Sequence, residues 1–206
     1  MFYNTFLGLI IGFIGGLVLS SFFEHAIHKY FLHSTPRALR KSTYIKSMWK
    51  GHAISHHGSY APDKHYIQDE TNKAEVLTFS WFEGPLIILA ATAFVYGIAA
   101  GISLLIGTQL SFIFPEVIGA GLAFTLYYIS YESLHAIMHV PSKWRWLCKT
   151  SVMVWLNRHH YQHHLDPRTN LNVIIPIADY VWGTKRLLPK EHYVYAEPIL
   201  CIVDNE

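Results

Sequence analysis

The residues best suited to chemistry in this chain are its histidines. There are 14 in 206 residues, as many as all aspartates and glutamates together. Ten fall into four spaced groups: His28 and His33 in HKYFLH, His52, His56 and His57 in HAISHH, His135 and His139 in HAIMH, and His160, His163 and His164 in HYQHH. On an α-helix, side chains three or four residues apart share a face. His52 with His56, His135 with His139, and His160 with His163 or His164 are therefore expected to point in pairs into one cavity. Adjacent residues diverge by about 100° at 3.6 residues per turn, so His56 and His57, or His163 and His164, are expected to reach two different ions. His28 and His33 are five apart, which puts them on different sides of an intact helix, serving different ions or flanking a break. Imidazoles so concentrated would repel on protonation or stay unsatisfied unless a cation joined them. The pattern predicts paired metal ions. Imidazole suits Zn, Cu, Fe or Ni, so the residues alone do not name the metal.

The other four histidines, His25, His65, His159 and His192, lack paired spacing and are expected to be structural. A liganding imidazole needs its second ring nitrogen held, and Glu24, Glu132, Asp166 and Asp179 are near enough in sequence to accept from it. Glu24 and Glu132 lie near the ends of apolar helices, where a carboxylate needs a partner. Asp166 and Asp179 read equally well as a turn residue and a cap. The two cysteines, Cys148 and Cys201, form no CxxC pair, which excludes a disulfide scaffold and a zinc ribbon.

The elements that must position these groups are apolar. Hydrophobic residues make up 51% of the chain, charged residues 15%, and mean hydropathy is +0.22, which argues against an ordinary soluble domain. A net charge of +2 gives no nucleic-acid footprint. All sixteen Lys and Arg fall between Lys29 and Lys73 or between Lys143 and Lys190. Residues 2–23 carry no charge, and about 20 apolar residues suffice to cross a bilayer. A secretory signal would need a basic start, and no Lys or Arg precedes Lys29. From Trp81 to Val140 the only charges are Glu83, Glu116 and Glu132, a stretch too long for one crossing. It predicts a hairpin, with helices over 85–106 and 116–139 and a turn at 107–115.

The expected fold is thus all-α, a single domain over residues 1–206: an integral membrane helical bundle of three long transmembrane helices with a cytoplasmic, helical, His-rich cap. The positive-inside rule puts 34–80 and 141–206 in the cytoplasm, and all six tryptophans lie in or beside the basic blocks, where an aromatic belt would sit. A short helix is expected around Tyr44 to His57, and 142–165 reads as helical. Leu171 to Trp182 reads as a helix too short to span, lying on the membrane surface or on the bundle. Gly8, Gly12 and Gly16 repeat along one face, either a close-approach surface for a homo-oligomer or a scatter of tolerated membrane glycines.

The ordered set HxxxxH, HxxxHH, HxxxH and HxxHH on such a chain resembles the fatty acid hydroxylase and sterol desaturase superfamily, as does NLNVIIPIADYVWGT after HHYQHH. The likeness runs from about Glu24 to Lys185, and HKYFLH is also similar to the first motif of the carotene hydroxylases in that superfamily. The second motif departs from many relatives by having three residues, not two, before its HH. The resemblance implies two Fe ions on the ten grouped histidines, Zn in some purified proteins, O₂ as co-substrate, and hydroxylation or desaturation of an unactivated C–H bond of a lipid. It also implies a bacterial inner-membrane or ER location and a separate electron-donor protein of ferredoxin or cytochrome b5 type. The chain itself has no flavin or nicotinamide fingerprint and no cysteine set for a cluster. Arg37, Arg40, Lys41, Lys46 and Lys50 read either as a dock for an acidic donor or as anchors to anionic lipid. The rival readings are a carotenoid hydroxylase, a lipid desaturase, and a metal-binding membrane protein without catalysis. Transport would want ionisable groups through the bilayer centre, whereas these gather toward one side.

Overall fold

The computed structural model describes residues 2–62, 66–68, 82–107, 113–141 and 144–192, and the side chains from residue 5 onward. His65, Trp81, Lys143, Cys201 and most of the expected 107–115 turn lie outside the described residues. Among the described residues every regular element is helical and no strand occurs. The chain divides into two compact units, residues 1–20 with 78–132 and residues 21–77 with 133–206.

The first unit contains most of α1 (Phe2–Ile27), all of α4 (Glu83–Leu105) and most of α5 (Phe114–His139). Its small residues allow backbones to touch. A Cβ on Gly12 would collide with the Glu116 carbonyl, one on Gly119 with the Leu9 carbonyl, and one on Gly16 would lie 2.7 Å from the Ala123 Cβ. The stripe of Gly8, Gly12 and Gly16 is therefore filled by α5 of the same chain. This corrects the expected homo-oligomer surface: close helix approach is the physical use of the pattern, but the partner helix is internal. α4 is different. Leu86, Leu89, Phe94, Ile98 and Ile102 are exposed, and only 6% of its most apolar window is buried, where the core helix of a soluble domain would be mostly covered. Two helices, Thr5–His33 and Glu83–Leu105, are long and apolar enough to cross a membrane.

The second unit is built from short helices. α1 runs on into a π-helical segment, His28–His33, whose closing Ser34 N–H donates to the Lys29 carbonyl at 2.6 Å. After a 3₁₀ turn at Leu39–Lys41 comes α2 (Thr43–Trp49), capped by the Ser42 hydroxyl. A second π-helical segment, Lys50–His56, leads into the short α3 (His57–Ser59). These elements cover the helix expected around Tyr44 to His57. α6 (Arg145–Cys148) and α7 (Ser151–Leu165) fill the stretch read as helical from 142 to 165, with Thr150 capping α7. Met153, Leu156, Asn157, His160, His163 and His164 recur at helical spacing and are all buried, which makes one face of α7 both core and ligand wall.

The reading of Leu171 to Trp182 as one helix is corrected. Only α8 (Ile177–Val181) is helical, and 169–176 is a loop, buried over 169–173. Its amides go to carboxylates instead of to helical carbonyls: Leu171 and Asn172 donate to Asp179, and Val173 donates to Glu24. Pro176, which has no amide hydrogen, marks where the helix starts.

Candidate metal centre

The ten grouped histidines all lie in the second unit. Nine form two sets in which one ring nitrogen from each member lies within 4.8 Å of every other. They are His56, His135, His139, His160 and His164, and separately His28, His33, His52 and His163. Every member is buried except His33, which is half-buried. The tenth, His57, belongs to neither set but stacks on His164 with centroids 4.2 Å apart and lies edge-on to His33 at 4.7 Å. Its ring neighbours come from both sets.

One expected separation and one expected pairing are overturned. His28 and His33 belong together, with rings stacked at 5.0 Å, because the segment between them is π-helical. A π-helix closes its hydrogen bonds at five residues instead of four, so a five-residue spacing returns to the same face. His52 and His56 are divided: although stacked at 5.0 Å, each offers its nitrogen to a different set. Here too the backbone is π-helical, and the N–H of His57 is directed at the His52 carbonyl five residues back. The departure in spacing of the second motif coincides with this segment. Of the other expectations, His135 pairs with His139, His160 with His164, and the neighbours His163 and His164 go to different sets, whereas His56 and His57 are not divided between the two sets, because His57 joins neither.

The outer nitrogens are held by backbone. His28 Nδ1–H donates to the Leu171 carbonyl at 2.6 Å, His139 Nδ1–H to Tyr66 at 2.9 Å, and His163 Nδ1–H to Thr169 at 2.9 Å. Each of these bonds fixes the tautomer and leaves Nε2 as a lone pair facing inward. Nε2 of His28 lies 2.9 Å from Nε2 of His52, and Nε2 of His33 lies 3.1 Å from that of His163. Nε2 of His160 lies 3.1 Å from those of both His139 and His164. One hydrogen on His160 cannot satisfy two such contacts, and both nitrogens of His56, Nε2 of His57 and Nδ1 of His160 and His164 are buried without a hydrogen-bond partner. A cation at the centre of each set resolves this. At metal–nitrogen distances of 2.0–2.1 Å, ligands at right angles stand about 2.9 Å apart, which is the spacing of these Nε2 atoms. The cluster fits a metal ion.

Electrostatics point the same way. Burial first, then the neighbouring imidazoles, holds His52, His160 and His164 well below the usual histidine range and pushes His57 in the same direction. Burial lowers His56 to about 2, and His163, partly offset by its bond to Thr169, to about 4. All are neutral at pH 7, the form that donates a lone pair. Two buried tyrosines wall the five-histidine set: the Tyr60 ring lies 4.3 Å from His139, and that of Tyr66 4.8 Å from His139 and 5.1 Å from His164. The Tyr66 hydroxyl donates to Asn157 Oδ1 at 3.1 Å.

None of the four carboxylates reaches a liganding ring through the bonds just described; those acceptors are carbonyls. Glu24 accepts from Asn172 Nδ2 at 2.9 Å and from the Val173 amide at 2.8 Å. Asp179, fully buried, accepts from the amides of Leu171 and Asn172 and from the Thr184 hydroxyl. Desolvation pulls its pKa up, but these bonds and the His159 ring 3.4 Å away outweigh it and keep the carboxyl below its ordinary value. Asp166 pairs with exposed Arg168, and its carbonyl accepts from the Thr169 amide and hydroxyl, a turn role. Glu132 belongs to the first unit, where Tyr128 is an electrostatic neighbour. A backbone acceptor leaves no residue-type signal, so Leu171, Thr169 and Tyr66 could not be singled out; only the polar pair Asn170 and Asn172 hints at a built loop. Of the structural histidines, His25 sits 3.0 Å from the Thr184 hydroxyl, His159 stacks on Trp155, and His192 lies in the 3₁₀ turn Lys190–His192.

Comparison with family models, with curated proteins and with solved structures returned no match to this chain. Fold and site together define an all-helical protein with two helices long and apolar enough to span a membrane and a buried histidine cluster able to hold metal.

Proposed function

We propose that this protein is an integral membrane, O₂-dependent di-iron oxygenase of the fatty acid hydroxylase and sterol desaturase kind, hydroxylating an unactivated C–H bond of a lipid or fatty acyl chain. The observation that carries the reading is the convergence of nine imidazoles into two sets. His56, His135, His139, His160 and His164 would hold one ion and His28, His33, His52 and His163 the other, with His57 beside both. Two bound irons would supply activation of O₂ and the oxidising power for C–H cleavage, with electrons from a separate donor protein. Zinc can occupy such nitrogens but has no redox states. The protein's own part is to keep the imidazoles unprotonated, fix three of their tautomers through Leu171, Tyr66 and Thr169, and exclude bulk water by burial. His33 gives the four-histidine set its half-buried side. The apolar, exposed face of α4 and the histidine pairs near the ends of apolar helices support a lipid substrate, and with a third crossing by α5 and both basic blocks in the cytoplasm the site would lie by the headgroups.

Metal analysis of protein purified without added metal is expected to give about two transition-metal ions per chain, and fewer for His139→Ala. Less than one ion per chain, or no change in that variant, sinks the two-ion site. Lipid mass spectrometry of expressing cells is expected to show lipids carrying one added oxygen atom. Loss of two hydrogens would instead mark a desaturase, a hydroxylated pigment in a carotene-producing host a carotenoid hydroxylase, and no lipid change a non-catalytic metal protein.

A further inference from the structure

The two histidine sets are anchored differently. The five-histidine set is buried throughout and takes a backbone anchor from Tyr66. The four-histidine set has a half-buried member, His33, and both of its backbone anchors, Thr169 for His163 and Leu171 for His28, lie on one short loop. Between them stands Asn170 with φ of 49°, a left-handed turn that asparagine tolerates better than most residues. Its side chain is tied to the His159 and Arg186 carbonyls and to the Arg186 amide.

The loop is secured by two acidic side chains, Asp179 and Glu24, through its backbone amides. The two oxygens of Asp179 take two successive amides, Leu171 and Asn172, at 2.9 Å each, which fixes the peptide plane between them and with it the direction of the Leu171 carbonyl. The Asp179 amide returns a bond to Asn172 Oδ1 at 3.1 Å, and the Thr184 hydroxyl donates to Oδ1 at 2.6 Å. Glu24 adds the Val173 amide and the Asn172 side chain. Charge-assisted bonds of this kind are the strong ones, and partners behind a liganding imidazole set its aim.

We infer that Asp179 and Glu24 form a latch on loop 169–173 that governs retention of the ion in the four-histidine set, making that ion the exchangeable one of the two. Both are positioning residues, and the inference rests on the two-ion reading above. Its function would be selective: the latch holds His28 and His163 and none of the five histidines of the other set.

The test uses the detergent-solubilised full chain loaded with zinc and followed by chelator-driven release with a zinc-sensitive dye. The wild type is expected to release zinc in two phases, with His163→Ala lacking the fast one. Asp179→Asn, which puts an amide where one backbone N–H needs an acceptor, and Glu24→Gln are expected to speed the fast phase at least about tenfold and leave the slow phase alone. Thr184→Val, which removes one bond to Asp179 and spares both amides, is expected to do the same to a smaller degree and stands in if Asp179→Asn does not fold by circular dichroism. Equal acceleration of both phases, or no acceleration in a folded variant, overturns the latch. A wild type that binds fewer than two zinc ions overturns the two-ion reading itself, whereas two ions released without selectivity overturn only the latch.

Discussion

A histidine ring has one nitrogen for the metal and one for the protein, and in this chain the spacing of the histidines speaks only to the first. The inward nitrogens could be anticipated because side-chain identity and period are written in the residues. The outward partners could not, because Leu171, Tyr66 and Thr169 act through carbonyls that every residue possesses. Burial of so many imidazoles has a consequence for pH. A histidine whose folded pKa is depressed binds a proton more readily in the unfolded chain, so stability rises with pH through the window between the two values. For His163 that window runs from about 4 in the folded protein to the ordinary value of 6.5. Below about pH 6.5 the unfolded chain takes up protons that the folded cluster refuses, and free protons also compete with metal for the same nitrogens. Thermal stability and bound metal are therefore expected to fall together as pH drops from about 6.5 toward 4 and to level off above it. Melting curves with metal analysis on samples equilibrated across that range check this, and a flat profile contradicts it.

At the scale of elements, the helices were legible and their hydrogen-bonding register was not. HKYFLH reads as helical, but the choice between four- and five-residue closure depends on packing around the turn, which composition does not encode. That choice decides whether His28 and His33 share an ion. The loop at 169–176 shows the same limit: its apolar residues look helical until Glu24 and Asp179, far apart in sequence, draw off its amides. The π segment makes a register prediction. Deleting Tyr30 leaves a four-residue spacing that an ordinary α-helix also places on one face, so metal content is expected to stay near the wild-type value. Inserting an alanine after Tyr30 gives a six-residue spacing that neither helix type brings together, and about half the metal is expected to be lost. Metal per chain in the two variants decides between them; equal loss in both would mean that the segment's length matters for some reason other than register.

For the whole molecule, the distribution of charge carries more than the packing does. Two helices meet the demands of a membrane span by length and composition, and the exposed apolar side chains of α4 are of the kind that lipid covers. The cation-free stretch from residue 74 to 142 contains both α4 and α5, and in the proposed topology the positive-inside rule would have it cross twice and return. α5 carries Glu116, Glu132, His135 and His139, which lower its apolar character. A helix that must present ligands at one end cannot be uniformly apolar, and the glycine contacts of α5 with α1 give its backbone a packed neighbour. The crossing is testable with single cysteines in a chain whose own Cys148 and Cys201 are changed to serine. Ile106→Cys, at the exposed end of α4, is expected to react with a membrane-impermeant maleimide on intact spheroplasts. Arg168→Cys, where the native side chain is 85% exposed, is expected to react only after lysis. Labelling of both positions from the same side would remove the proposed third crossing, and with it the proposed placement of the histidine cluster on the cytoplasmic face.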